Sequence, residues 1–495
     1  MSTSMSESSA LDPVSAGLDP GESIAPSDHQ AHYATASLWD AIREGLRGSH
    51  RDFTEGAVSR AILILAIPMV LEMVMESVFA ICDVFFVSKL GASAVAAVGL
   101  TESWLTLIYA AAMGLAMAAT AVVARRTGER DREGAARAAT QAIVLGASVA
   151  LVLGVLGASL APKLLALMGA SAEVVTTGSS YTRIMLGGNA TIVMLFLINA
   201  IFRGAGDAAI AMRVLWLANA INIVLGPCLI FGLGPFPRLG VAGAAVATNI
   251  GRGTGVLFAA SRLLTPGSRM DIHARHLRLE PALIARLSRL AWSAGAQFLI
   301  SMGSWIALIR LLSGFGSDVL AGYTIGVRVI MFALLPAAGL ANAAATMVGQ
   351  ALGARKPERA EQAVKIAGSY NMIVLSIIGA LLAVTAPAIA RFFTSDPLVI
   401  PSAANVLRIV ACGFPFYAWG MVLSMSFNGA GDTRTPTLLN FLVFWCWEIP
   451  LAWVLAERSG FGPRGIYLSI TIAFSTYAVV AAIAFSRGHW KTRRV

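Results

Sequence analysis

Apolar positions along the chain gather into twelve long blocks, near 60–86, 94–123, 139–161, 178–202, 211–232 and 240–262, then 290–313, 319–349, 366–390, 403–427, 436–456 and 465–486. Each is at least as long as the ~20 residues with which a helix crosses a bilayer's hydrocarbon, and the surplus in some allows tilt. Short polar or basic breaks separate them. The pattern predicts an all-α integral membrane protein with twelve transmembrane helices in two six-helix bundles.

The blocks repeat. FRGAGD at 202–207 returns as FNGAGD at 427–432, and Gly91, Gly114, Gly128 and Gly240 return as Gly316, Gly339, Gly353 and Gly465, always 225 residues on. So long a period excludes a soluble solenoid. In an apolar chain, duplicated halves point to a transporter. The expected division is a disordered tail over 1–36, an amphipathic lead-in over 37–54, an N-lobe over 55–265, a cytoplasmic linker over 266–287, a C-lobe over 288–487 and a basic tail over 488–495. The first 36 residues are rich in Ser, Ala, Asp, Glu and Pro and lack an apolar core, as disordered segments do. They also lack the apolar run of a cleavable signal, so the first span serves as an uncleaved one. Next, Leu38, Trp39, Ile42 and Leu46 fall near one helical face. An interfacial helix and a lead-in without membrane contact both fit them.

Composition agrees: 57% of residues are hydrophobic and only 13% charged, against ~25% charged in soluble domains. Mean hydropathy is +0.73. The net charge of +10 follows the loops. Arg125, Arg126, Arg130, Arg132 and Arg137 lie between spans 2 and 3, and Arg355, Lys356, Arg359 and Lys365 follow span 8, while opposite loops are sparse in basic residues. By the positive-inside rule both termini face the cytoplasm of a plasma (inner) membrane, and nucleic-acid binding is not expected. Cys82, Cys228, Cys412 and Cys446 sit in apolar spans without metal spacing, as packing residues. His273 and His276 are one turn apart but lack a third ligand, and read as a solvated loop. No metal site or cofactor is expected, and no GxxxxGK[ST] loop points to ATP hydrolysis.

Ionisable groups inside spans carry the chemistry, because charge in hydrocarbon is costly unless it lines a cavity or pairs. Span 1 holds Glu72, Glu76 and Asp83. At 100° per residue the second and third lie about 40° and 20° around from the first, a stripe roughly 16 Å long. Three acids on one face predict a polar cavity suited to proton uptake and release. Glu448, beside Trp447 and one turn from Trp445, precedes Pro450; a pocket wall and a packing site both fit. Arg310 and Arg328 are candidate counter-ions for Glu448 or the span 1 acids. Asn189, Asn199, Asn222 and Asn249 could bond within the first bundle, with packing the default. The GAGD turns read as helix connections, with Asp207 and Asp432 as caps.

Over residues 55 to 487 the chain resembles the multidrug and toxic compound extrusion (MATE) transporters. The resemblance rests on IPMVLEMVMESVFAICDVFFVSKLG in span 1, FRGAGD and FNGAGDTRTPTL after spans 4 and 10, and LPAAGLANAAATMVGQALGA in span 8. It implies two lobes rocking about a central cavity, with export of small-molecule drugs or metabolites driven by inward proton or sodium movement. Pro68 and Asp83 match the family's span 1 proline, which allows a bend, and its cation-binding acid. Asn222 matches a polar residue of the DinF-like branch, to which the chain is closer, although Gly226 stands where that branch often has Asp. The NorM-like acids of spans 7 and 10 fall near Ser301 and Tyr417. Coupling is therefore expected at Asp83, with Glu72, Glu76 and Asn222, and sodium at Asp83 is the alternative to a proton. Substrate-cavity candidates are Asn189, Tyr181, Gln297, Tyr417, Trp445 and Glu448. A monomer is expected. The rivals are a lipid-linked oligosaccharide flippase, for which the acidic span 1 is a poor match, and a membrane-embedded enzyme, for which no nucleophile or metal partner is visible. Across the repeat, Glu72, Glu76 and Asp83 become Gln297, Ser301 and Leu308.

Overall fold

The computed structural model describes residues 38–49, 51–265, 270 and 272–493; the tail expected over 1–36 lies outside them. Among the described residues there is no strand. A short helix α1 (Leu38–Arg47) leads into α2 (Val58–Ser88), α3 (Ala92–Gly128), α4 (Arg132–Leu167), α5 (Ala172–Gly187), α6 (Asn189–Gly204), α7 (Ala208–Phe231) and α8 (Val241–Leu263). The second half holds α9 (Pro281–Leu312), α10 (Ser317–Gly353), α11 (Pro357–Phe393), α12 (Val399–Ala411), α13 (Phe414–Gly429), α14 (Arg434–Arg458) and α15 (Pro463–Ser486). With α5 and α6 joined, ten helices are long and apolar enough to cross a membrane, and α12 with α13, bent by 58°, makes an eleventh. The remaining predicted span is α8, a 23-residue helix carrying Asn249 and Arg252.

Backbone torsions repeat along with the sequence. Gly206 and Gly431, in the two GAGD turns, have φ of 85° and 81°, a region that favours glycine because it has no Cβ. Arg130 and Arg355, also 225 apart, share positive φ (59° and 57°) where α3 and α10 end.

The lobes meet along α3 with α9, α2 with α10, and α3 with α10. Repeat glycines make this approach possible. A methyl on Gly114 would run into the Ala291 carbonyl, one on Gly339 into the Met69 backbone, one on Gly128 into the Gln350 carbonyl and one on Gly353 into the Arg125 carbonyl. Gly128 and Gly353 therefore mark a crossing of α3 and α10 near their basic ends.

That basic face is clasped. Arg359 donates to the carbonyls of Phe53, Glu55 and Gly56 (2.8, 2.8 and 2.7 Å), and Lys356 to that of Thr54 (3.0 Å). From the other lobe Arg130 reaches Asp52 (2.9 Å) and Glu55 (2.7 Å). Partial burial of Asp52 would raise its pKa, but hydrogen bonds from Thr54 and the Arg130 guanidinium outweigh it and hold the carboxyl below its ordinary 3.8. The basic tail docks here too: Trp490 is fully buried, and Lys491 pairs with Glu361 at 2.6 Å.

Several expectations need correction. Helix α9 begins at Pro281, inside the segment expected as linker. His276, expected in solvent, is buried and 2.8 Å from Glu133, while Gln141 donates to the His276 and Arg278 carbonyls. Helix α1 keeps Trp39 76% exposed, as either reading of the lead-in allows, and buries Ala41 and Gly45. A Cβ on Gly45 would lie 3.0 Å from the Ile64 carbonyl oxygen, the acceptor that Pro68, four residues on and lacking an N–H, leaves without a helical donor.

Candidate functional site

Helix α2 continues unbroken through Pro68 and turns its acidic stripe toward α6, α7 and α8 of its own lobe. Glu72 is 2% exposed. Its Oε1 accepts from Arg203 Nη1 at 2.7 Å and Asn199 Nδ2 at 3.3 Å. Asn199 and Arg203 stand four apart on α6, hence on one face. One turn further along α2, Glu76 accepts from Asn219 Nδ2 at 3.1 Å, and its other oxygen lies 3.6 Å from Arg252 Nη2. Arg252 of α8 is buried and donates to the Tyr109 hydroxyl at 3.3 Å, with its guanidinium 5.5 Å from the Phe79 ring centre.

Asp83 differs from both. It is half-buried, and among the described residues no hydrogen bond or ion pair holds it; the charged groups in whose field it stands are Arg252 and Glu102. Glu102 on α3 is exposed, as is Arg328 on α10 of the other lobe, within whose field it stands. The three acids thus occupy three environments: a closed ion pair, a partly open one and a free carboxyl.

The counter-ions differ from those expected. Arg203 and Arg252, with Asn219, serve the span 1 acids; Arg310 does not, and Arg328 acts on Glu102. Asn222 donates to Thr248 Oγ1 at 2.8 Å and so ties α7 to α8. Gly226 has room: a Cβ there would stand 3.9 Å from the Phe86 ring, one turn from Asp83. Tyr181 is buried in the N-lobe core instead of lining an open wall. Asn189 is also buried, donating to the Leu186 carbonyl at 2.6 Å across the break between α5 and α6. Asn249 bonds Thr191 and the Ile184 carbonyl beside the same break.

The C-lobe copies this frame without its charge. Gln297, the counterpart of Glu72, donates to Ser424 at 2.9 Å and accepts from Asn428 at 3.4 Å; Ser424 and Asn428 lie 225 residues after Asn199 and Arg203. Ser301, the counterpart of Glu76, accepts from Asn440 at 2.9 Å, and Leu308, that of Asp83, is core. An ion-paired triad on one side is an amide–hydroxyl triad on the other. Beside it lies a cavity of about 160 Å³ lined by Gln297, Ser301, Tyr417, Met421, Phe444 and Phe474, among others. Trp445 and Glu448 are not among its walls. Trp445 donates to the Ile300 carbonyl at 2.9 Å and packs on Gly303, and Glu448 is enclosed. Among the described residues no cluster of three His, Cys, Asp or Glu could hold a metal.

Two repeated helical bundles meeting along glycine seams, with polar side chains turned inward at membrane depth, define a multi-pass membrane transporter. Solved structures share this fold. A MATE protein in complex with MaL6 superposes with a TM-score of 0.83 at 27% identity, covering 88% of this chain and 98% of that one. A MOP superfamily transporter from Pyrococcus furiosus, described as having reversed binding-pocket polarity, gives 0.84 at 27% identity, covering 89% and 98%. The MatE family model matches twice, over residues 68–228 and 293–454, its two starts again 225 apart. The chain belongs to the MATE family. Among relatives, the "Probable multidrug resistance protein NorM" of Thermotoga maritima is 24% identical over 88% of this chain and 94% of its own length. The "FAD transporter" of Shewanella oneidensis is 24% identical over 84% and 91%.

Proposed function

We propose that this protein is a secondary active multidrug efflux antiporter. It exports lipophilic, cationic compounds in exchange for protons, or for sodium, by rocker-switch alternating access. It works as a monomer in the plasma or inner membrane with its basic face and both termini cytoplasmic. The names of its multidrug-resistance relatives support the substrate class. The observation that carries the coupling is Asp83, an acid at membrane depth with no fixed partner, beside the partly open Glu76. Glu72, closed on Arg203, positions α2, and Asn222 with Thr248 holds the facing wall. Deprotonated Asp83 draws a cation into the N-lobe, and protonation cancels that attraction. Exchange requires that drug and proton favour different states, since equal affinity for both shifts nothing. Asn222 supports a position nearer the DinF-like branch.

The test is efflux from inverted vesicles under pH and sodium gradients imposed singly. Asp83→Asn should abolish gradient-driven export while leaving counterflow of labelled substrate; undiminished proton-driven export sinks the proposal. A pyrophosphate-bearing substrate is the second reading, favoured by Arg328 exposed at membrane depth and by the relative named as a FAD transporter. Running FAD beside a cationic dye in the same vesicles separates the two.

A further inference from the structure

Glu448 is 2% exposed, yet among the described residues no hydrogen bond or ion pair reaches its carboxyl. The titratable groups that feel its charge are Tyr323 of α10 and Tyr417 of α13. Tyr467 of α15 stacks on Tyr323 with ring centres 6.2 Å apart. Helix α9, which also packs against this part of α14, presents it no charge, and no Lys, Arg, His or second carboxylate acts on it. The Tyr323 hydroxyl is itself buried without a partner. The nearly buried carboxyl and the enclosed, unsatisfied hydroxyl thus stand in each other's field.

The backbone that carries Glu448 is irregular. Residues Phe441–Glu448 of α14 form a π-helix, a widening frequent at functional sites. Pro450 then leaves the Cys446 carbonyl without its α-helical donor. Such a segment can change its hydrogen bonds without dismantling a regular helix.

An ionised carboxylate enclosed without a cation is costly, so in this state the group is the neutral acid. A neutral acid donates one hydrogen bond and an ionised one only accepts, and a tyrosine hydroxyl serves either by turning its O–H. Tyr417 also lines the C-lobe cavity, which gives a released proton a way to water. We propose that Glu448 is a proton-binding site of the C-lobe, taking its proton from and returning it to cavity water past Tyr417, with Tyr323 and Tyr417 donating to the ionised form. This site is independent of the coupling assigned to Asp83.

Infrared difference spectra of the full chain in nanodiscs, titrated over roughly pH 4 to 10 to span carboxyl titration, provide the test. The wild type should lose a buried-carboxyl C=O band as pH rises. Glu448→Gln should lack that band, Glu448→Asp should restore one, and Asp83→Asn should keep it. Tyr323→Phe, which removes a donor to the ionised form, should move its disappearance to higher pH. Wild-type and Glu448→Gln spectra that superimpose throughout overturn the proposal, as does a Tyr323→Phe titration identical to wild type. Efflux by Asp83→Asn is scored separately, so either site can fail alone.

Discussion

Replacing Arg203 with Asn while Glu72 remains leaves a carboxylate enclosed at membrane depth with its cation gone. The contact is 2.7 Å and the two side chains are 10% and 3% exposed. With charge centres about 4 Å apart and an effective dielectric near 20, the attraction lost is about 4 kcal/mol, within the roughly 3–5 kcal/mol seen when one partner of a buried pair is removed. Glu72→Gln alone should cost comparably, because Arg203 is then the stranded charge. The double variant, Glu72→Gln with Arg203→Asn, rebuilds the neutral pair that the C-lobe already holds at Gln297 and Asn428. It should fall within about 1 kcal/mol of wild type, the net worth of one neutral hydrogen bond. The four proteins form a double-mutant cycle, read as thermal unfolding midpoints in one detergent. Both singles should melt several degrees early, and the double should recover most of the loss, giving a coupling of about 7 kcal/mol when two losses of about 4 kcal/mol shrink to about 1. Additive losses would show that the two side chains do not act as a unit, and the reading of Glu72 as a positioning residue would go with them.

Gly128→Ala should destabilise by about 1–3 kcal/mol, the usual cost of forcing a methyl into a packed contact, because the Gln350 carbonyl fills the space; a melting point equal to wild type would argue against the seam. For the clasp, the depressed Asp52 carboxyl contributes stability at pH values above 3.8 that is lost as pH falls through its lower folded value. The gap in unfolding midpoint between wild type and Asp52→Asn should therefore be constant near neutrality and close only in strong acid, and a gap that persists there would refute the assignment. Gly226→Asp, entering open space beside Phe86, should fold normally and shift the pH profile of efflux through its nearness to Asp83; an unchanged profile would mean that the two positions do not communicate.

The spans were legible because hydrophobic length is a local property, and the lobes because glycines and GAGD turns recur at one spacing. The acidic stripe was legible for the same reason, three residues on one helix. Their partners were not, since Arg203 lies 131 residues from Glu72 and Arg252 176 residues beyond Glu76, with nothing local to mark either. Arg203 stood in plain view within FRGAGD, where the glycines drew the reading toward a turn. The usable signal was joint change across the repeat, Glu72 to Gln297 together with Arg203 to Asn428. Glu102 carries no such signal, and hydropathy registers neither the burial of Glu448 nor the π-helical stretch that it ends.

The crossing at Gly128 and Gly353 has a mechanical consequence. Helices α3 and α10 are each 37 residues long, hence about 55 Å at 1.5 Å per residue, and at Gly128 and Gly353 they bear on each other near one end backbone to backbone. A rotation of about 10° at such a fulcrum carries the far ends through roughly 10 Å on a lever of that length. At these glycines the bearing surface has only small groups to repack as it turns, so the motion at the pivot can be small and stiff while the opening it controls is wide enough for a drug-sized molecule.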